Sequence, residues 1–428
     1  MGPTINSKLI KKYLERHAEK ESQFSILRFE EQFGSQAIFS NVLVVPIFNE
    51  QSDCLNSVFK NITTRDTLII PVVNAPEQTY VRDSRVQYLP EKIERTIACL
   101  EDLRRSSPLP LLIVDRVTEG QRIPPKEGVG LARKIGSDIA LSLIAQNKIK
   151  SRWIYQTDAD AVLPPDYFFR NLPVAGAALF PFKHVSNDTI LQKCARLYEL
   201  HMEHYEKSLS ESGSIFGFTA LGSTMVIEAS TYAAVRGFPK KSAGEDFYML
   251  NKIRKVTQIK PVAGAPIEIE ARISDRVPFG TGTNLKKISS LLEKDGSEGD
   301  FKSYNECCFR ALRCALELIE KICRNPGFLE DFRNRQPQNS TDKAEFLAIK
   351  ALIDLGLLKQ VDQINRQRID PQQKLQRLTS WFDALKTLRF INQMRLEYPD
   401  KSLLKIMESK GKTVDQFELH IGTVPLEL

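Results

Sequence analysis

No run of eighteen or more consecutive apolar residues occurs in the 428-residue chain, so no transmembrane helix is expected. The opening "MGPTINSKLIKKYLERHAEKE" is charged and helical in pattern, without the apolar core of a targeting peptide. Cysteine is scarce and odd in number, seven in all, and nowhere takes a C-x-x-C spacing. That pattern suits reduced thiols in the cytoplasm, the expected location, and excludes a disulfide framework. Cys307 and Cys314 lie seven apart in "YNECCFRALRCALELIEKIC", on one apolar helix face, and with Cys308 and Cys323 they are read as core packing rather than metal ligands. A strong charge excess is also missing. Sixty Lys+Arg against 53 Asp+Glu leaves +7, too thinly spread for a nucleic-acid partner but suited to an anionic small molecule. No internal repeat or long low-complexity tract is present.

What is there reads as an ordinary globular chain, with 42% hydrophobic and 26% charged residues. Its length suggests about two or three domains. After a charged helical segment, "AIFSNVLVVPIF", "DTLIIPVVNAP", "LPLLIVDRV" and "SRWIYQTD" are short apolar runs rich in β-branched residues, read as buried strands. "PEKIERTIACLEDLRRSS" and "GVGLARKIGSDIALSLIAQNKI" between them have helical spacing. Such alternation predicts an α/β domain with a parallel sheet. "AALFPFKHV" is expected to be one edge strand and "IKPVAGAPIEIEARIS" another strand. From about residue 300 the pattern is all-helical. The expected partition is a helical segment over 1–38, an α/β domain over 39–290 and a helical region over 291–428.

In parallel sheets, ligands sit outside the carboxyl ends of the strands. The polar residues ending the four strands are Asn49 and Glu50, Asn74, Asp115, and Asp158 with Asp160, all expected on one edge. Asp158 and Asp160 in "QTDADAVLPPDYF" admit two readings, a solvated loop or a metal site. In an extended segment residues i and i+2 share a side, and a divalent cation would relieve the repulsion between the two carboxylates. Oxygen-only ligands point to Mg²⁺ or Mn²⁺. In "SAGEDFYML", Glu245 and Asp246 open a helix, where acids complement the dipole and Ser242 suggests a capping box. The other reading is a general base for a hydroxyl nucleophile. "ARISDRVPFGTGTN" holds Arg272, Asp275 and Arg276 beside glycines, either as a diphosphate clamp or as surface residues.

The ordered set "VVPIFNE", "GVGLARKIGSDIA", "QTDADAVLPPDYF", "GSTMVIEASTYAAVRGFP" and "GEDFYMLNKI" resembles the GT-A glycosyltransferases of family 2, over roughly residues 40–285. The resemblance implies a GT-A fold with a Rossmann-like, mostly parallel sheet. It also implies metal-dependent transfer of a sugar from a UDP- or GDP-sugar to a hydroxyl acceptor, small molecule or glycan, with Mn²⁺ or Mg²⁺ as cofactor. By the same resemblance Pro46, Phe48 and Glu50 line the nucleotide pocket. Asn74 stands where the family usually has an aspartate, which leaves uracil and guanine both open. Arg133 and Lys134 match a segment near the nucleotide. Asp158 and Asp160 match the metal motif, with Asp160 the direct ligand. Gly222 and Ser223 match the acceptor side, and Arg276 a basic residue near the departing diphosphate. Glu245 and Asp246 match the catalytic pair, the aspartate being the base, so an inverting outcome is expected. Some relatives use a histidine after that pair as third metal ligand. None lies between Asp246 and His420, so water or no third ligand is expected.

Of the other histidines, His184 is read as facing the cleft, and His201 with His204 as exposed or acceptor-facing. A sugar-nucleotide pyrophosphorylase is the first rival, but "VVPIFNEQSDC" lacks the glycine-rich triphosphate loop such enzymes need. A non-catalytic sugar-nucleotide-binding scaffold is the second. The helical C-terminal region is expected to pack as a bundle, with a homodimer contact as a further possibility. "LKTLRFINQMRLEY" is basic and amphipathic enough for peripheral membrane contact.

Overall fold

The computed structural model describes residues 6–50, 58–62, 65–77, 89–273, 280–295, 301–325, 327–329 and 340–409. They group into two compact units, one running to Val185 and resuming over Ala220–Glu270, the other made of Ser186–Thr219 and the chain from Ala271. The division departs from the expected partition in three places, the first being that the chain passes to the second unit at Ala271 rather than near residue 291. The N-terminal helices belong to the first unit, and the segment after Val185 belongs with the C-terminal helices.

The first unit is built on a sheet. Strands β1 (Asn41–Ile47), β2 (Thr67–Asn74), β3 (Val114–Arg116) and β4 (Trp153–Gln156) coincide with the four apolar runs. β5 (Ala161–Val162), β6 (Ala177–Leu179), β7 (Phe182–Val185), β8 (Met225–Glu228), β9 (Ile259–Pro261) and β10 (Ile267–Glu270) follow. The main sheet has seven strands in the order β3-β2-β1-β4-β8-β6-β9, and β5-β10-β7 form a second, smaller sheet. β1 pairs in parallel with both β2 and β4, with Val42 opposite Leu68 on one side and Ile154 on the other. β2 to β3 and β6 to β9 are also parallel, and only β8 runs against its neighbours. The protein is therefore α/β with a mostly parallel central sheet.

"AALFPFKHV" is two strands rather than one edge strand. β6 lies inside the main sheet between β8 and β9, and β7 joins the small sheet. The break falls at Pro181, which has no N–H to continue a ladder and instead accepts a hydrogen bond from Ile267. "IKPVAGAPIEIE" divides likewise, with Gly264 at φ +128° in the turn between β9 and β10.

The Gly128–Ala145 helix is buried continuously from Gly130 to Ile144, unlike a surface helix with one apolar stripe. It is sandwiched. One side lies on β1 and β2, close enough that a Cβ on Gly136 would meet Val44 Cγ1 at 2.4 Å. The other side is covered by the helices Ser7–Arg16 and Ser25–Phe33. The first of these starts at Asn6, whose side chain caps Leu9 N–H.

The second unit is a helical bundle. Its main core is formed by Leu312, Ala315, Leu318 and Ile319 of the Glu306–Arg324 helix against Ala348 and Leu352 of Ser340–Asp354 and Phe390 and Ile391 of Ala384–Glu397. Asn305, Asp370 and Asp383 cap three of its helices through side-chain carbonyl or carboxylate oxygens. β11 (Lys302–Ser303) and β12 (Lys401–Ser402) pair antiparallel. The six described cysteines are free thiols. Cys308 and Cys323 are buried in this core, while Cys307 and Cys314, expected on the apolar face, are only half-buried. No helix among the described residues is long and apolar enough to cross a membrane.

Candidate active site

The parallel strands β1, β2, β3 and β4 end on one edge, as expected, but several residues there serve the fold. Asn74 is buried, and its amide donates to the carbonyls of Ile47 (3.0 Å) and Val72 (3.2 Å), lacing the ends of β1 and β2. Asp115 closes a turn by accepting from the backbone N–H groups of Val117 and Thr118 and from the Thr118 hydroxyl. Burial opposes ionisation of that carboxyl, but these donors hold it below its ordinary range. Pro46 is buried within β1 opposite Val72, and Phe48 packs half-buried on the apolar cluster beneath the sheet. Asn49 takes φ +55° and donates its N–H to Thr96 Oγ1, which turns the chain so that Glu50 is buried at 5% exposure.

The densest assembly of predicted residues forms around Arg133. Its guanidinium, 1% exposed, donates Nη2–H to Asp158 Oδ1 at 2.5 Å and Nε–H to Glu245 Oε1 at 2.9 Å. Burial disfavours the cation, yet Asp158 and Glu245 outweigh burial and hold it firmly protonated. Three separated glycines make this possible. A Cβ on Gly222 would lie 2.2 Å from Arg133 Nη2, so the guanidinium rests on the bare backbone of that residue. A Cβ on Gly130 would lie 2.4 Å from Pro239 O, and one on Gly128 2.7 Å from Ser242 Cα. The Pro239–Ser242 backbone therefore lies directly against the first turn of the Gly128–Ala145 helix, with Gly130 N–H bonded to Lys241 O. That contact delivers Glu245 and Asp246, three and four residues beyond Ser242, to the neighbourhood of Arg133.

Glu245 and Asp246 open the Glu245–Arg254 helix. The capping box expected from Ser242 is not formed, because the N-cap is Gly244 at φ +69° with no side-chain cap. Burial pushes the Glu245 carboxyl up, and Arg133 opposes that shift. Asp246 keeps some surface, but the protein crowded around it raises its carboxyl to about 7, first through desolvation and then through the negative charge of Glu245. Its Oδ1 accepts the Phe247 N–H at 2.7 Å.

The Asp158–Asp160 segment is not extended. Ala161 N–H bonds to Asp158 O, making a turn, so the premise that i and i+2 share a side does not hold here. Both aspartates are half-buried, and the Asp160 carbonyl accepts Glu270 N–H as the small sheet begins. Both carboxylates are partly exposed and oxygen is the donor type that Mg²⁺ and Mn²⁺ take, ions that fill most of their shell with water and phosphate, while Asp158 Oδ1 is already paired with Arg133. Among the described residues no group of three His, Cys, Asp or Glu side chains comes together as a metal site.

The remaining predicted residues fall elsewhere. Ser223 is buried beside Gly222 in the turn entering β8, so Gly222 serves as the seat of Arg133 rather than an open acceptor surface. Lys134 is turned away from Arg133. Its ammonium donates to Asp138 Oδ2, Tyr13 Oη and His17 O, each at 2.8 Å. Asp138 also accepts from Tyr13 and Tyr232. His184 is buried in β7 against Phe182, not in an open cleft. His201 and His204 are bundle residues in the second unit, contacting Ser303 Oγ and Tyr304 O. Burial lowers His201 to about 4. Arg272 is half-buried, and Asp275 and Arg276 lie outside the described residues. Sequence reading missed Asp138, Tyr13 and Tyr232. The Lys134–Asp138 spacing of four on a helix was the available signal for the first. No family model and no curated protein matches the chain.

Proposed function

We propose that the protein is a GT-A-type glycosyltransferase that moves a sugar from a nucleotide-diphosphate donor to a hydroxyl acceptor, with Asp246 as general base. The observation that carries this reading is the single ion cluster joining Asp158 to Glu245 through Arg133, with Asp246 beside it at about 7. Asp158 and Asp160 would hold Mg²⁺ or Mn²⁺, and that ion supplies positive charge to the departing diphosphate. Arg133 keeps the two acidic motifs in one arrangement and neutralises the charges nearest Asp246. Asp246 accepts the acceptor hydroxyl proton as the sugar bond forms, and a base near 7 balances availability against strength at neutral pH. Displacement by a base-activated hydroxyl inverts the anomeric centre.

The test is transfer measured with a panel of UDP- and GDP-sugars in the presence of Mn²⁺. With an active donor, kcat/KM is expected to rise with pH through about 7 as Asp246 loses its proton. Asp246→Asn should cost about 10²–10⁴-fold in transfer while keeping donor affinity by calorimetry. Near-wild-type transfer by that variant removes the base assignment.

A further inference from the structure

We propose that the layer of N-terminal helices docks the protein on an anionic lipid surface, through unpaired cations and two exposed apolar side chains. The helices Ser7–Arg16 and Ser25–Phe33, joined through the 3₁₀ turn Lys20–Phe24, cover the outer side of the buried Gly128–Ala145 helix. Each turns its buried residues inward, Ile10 and Tyr13 on the first and Ser25 and Phe29 on the second. Residues on the opposite helix faces therefore point away from the sheet. Those are Lys8, Lys11, Lys12 and Glu15 on the first helix and Leu27 on the second, all exposed.

The layer sorts its charges. Its acidic residues are nearly as many as its basic ones, but Glu19 is spent on Lys240 at 2.9 Å, Glu21 on Arg116 at 2.7 Å and Glu30 on Lys148 at 2.8 Å. Lys8, Lys11, Lys12, Arg16 and Lys20 are exposed, and none of them is in an ion pair among the described residues. Only Glu15 and Glu31 of the layer remain to oppose them, so its outer side is positive. On the same layer Phe24 and Leu27 are 59% and 57% exposed, three residues apart where the turn enters the second helix. A solvated surface ordinarily mixes its signs and scatters its large apolar groups singly.

The combination selects the partner. An anionic leaflet attracts lysine and arginine held near it, by about fivefold in affinity per cation, and its interfacial zone takes up phenylalanine and leucine side chains. Charge and apolar contact together give reversible attachment where either alone is weak. A single-stranded nucleic acid would use the cations and could stack on Phe24, but Leu27 offers a base no ring face. The surface does not rest on the transferase reading.

The experiment is co-sedimentation of the full-length protein with vesicles of phosphatidylcholine alone and of phosphatidylcholine containing about one-third phosphatidylglycerol. Binding is expected on the anionic vesicles only, and should fall steeply as salt rises from about 0.05 to 0.5 M. The triple variant Lys8→Gln/Lys11→Gln/Lys12→Gln should weaken it at least about tenfold, and Glu15→Lys should strengthen it. Phe24→Ser/Leu27→Ser removes the apolar contact and should weaken it at least about tenfold as well. All these side chains are exposed, so each variant should melt like the parent. No binding to the anionic vesicles overturns the proposal, whatever the protein does with an oligonucleotide. Equal binding to both vesicle types does so too, as does binding that either multiple variant leaves unchanged. Asp246→Asn should leave vesicle binding intact, which separates failure of this proposal from failure of the transferase reading.

Discussion

Arg133 and Lys134 are sequence neighbours on one buried helix, and each sits in its own ion cluster. Arg133 meets Asp158 and Glu245 at the sheet's carboxyl edge, whereas Lys134 meets Asp138, Tyr13 and the His17 carbonyl under the N-terminal helix. Successive helical residues point about 100° apart, so a helix covered on both sides serves two regions with two adjacent cations. The Lys134 cluster is closed. Asp138 accepts from Tyr13, Tyr232, Lys134 and the Glu19 N–H, and Tyr13 accepts from Lys134. The Arg133 cluster is open on one side, through half-buried Asp158 and Asp246. A closed cluster fixes structure, and an open one is available to a ligand.

The sharpest way to break that contrast is Lys134→Met. Removing one partner of a buried pair should cost about 3–5 kcal/mol in urea unfolding, with kcat of the folded fraction little changed. The sign with pH follows from Asp138, whose carboxyl burial already pushes up. The orphaned carboxylate is fully present at high pH and is relieved as falling pH protonates it, so the penalty should shrink on acidification. A penalty independent of pH would refute the closed-cluster account.

Gly222→Ala tests the opposite cluster from its backbone side. The new methyl must displace the Arg133 guanidinium, for about 1–3 kcal/mol of overpacking with a matching loss of transfer. Wild-type melting and turnover would mean that Arg133 is not seated where the contacts place it. Arg133→Lys is the gentlest probe, since the charge stays and the two-pronged fork is lost. The expected loss is about tenfold in kcat/KM, or ~1.4 kcal/mol, with little change in melting temperature. Equal damage to stability and activity would erase the distinction between the two clusters.

Much of the first unit was legible because its strands are apolar on both faces. "NVLVVPI" and "TLIIPVVN" leave no other reading, and both are parallel strands of the central sheet. The motif residues Asp158, Glu245, Arg133 and Gly222 were also legible, but as four separate segments. Their roles were less so. Gly222 and Asn74 took their expected roles from the resemblance alone, and no sequence pattern says that a guanidinium lies against the one or that the other reaches the Ile47 carbonyl of β1.

The sequence by itself determined the four parallel strands β1 to β4 and their shared edge, through residues whose apolar side chains are buried on both faces of the sheet. It also determined that no helix among the described residues is long and apolar enough to cross a membrane, because no run of eighteen apolar residues occurs in the chain. Only the tertiary structure decided which of two adjacent cations faces the acidic motifs. It also decided that Asp158 and Asp160 sit on a turn and that the N-terminal helices belong with the sheet. The cation placement and the packing of the N-terminal helices depend on close approaches between residues more than a hundred positions apart, such as Arg133 to Glu245 and Tyr13 to Asp138. Local propensity carries no information about such distances, because they are set by which surfaces pack once the chain has folded.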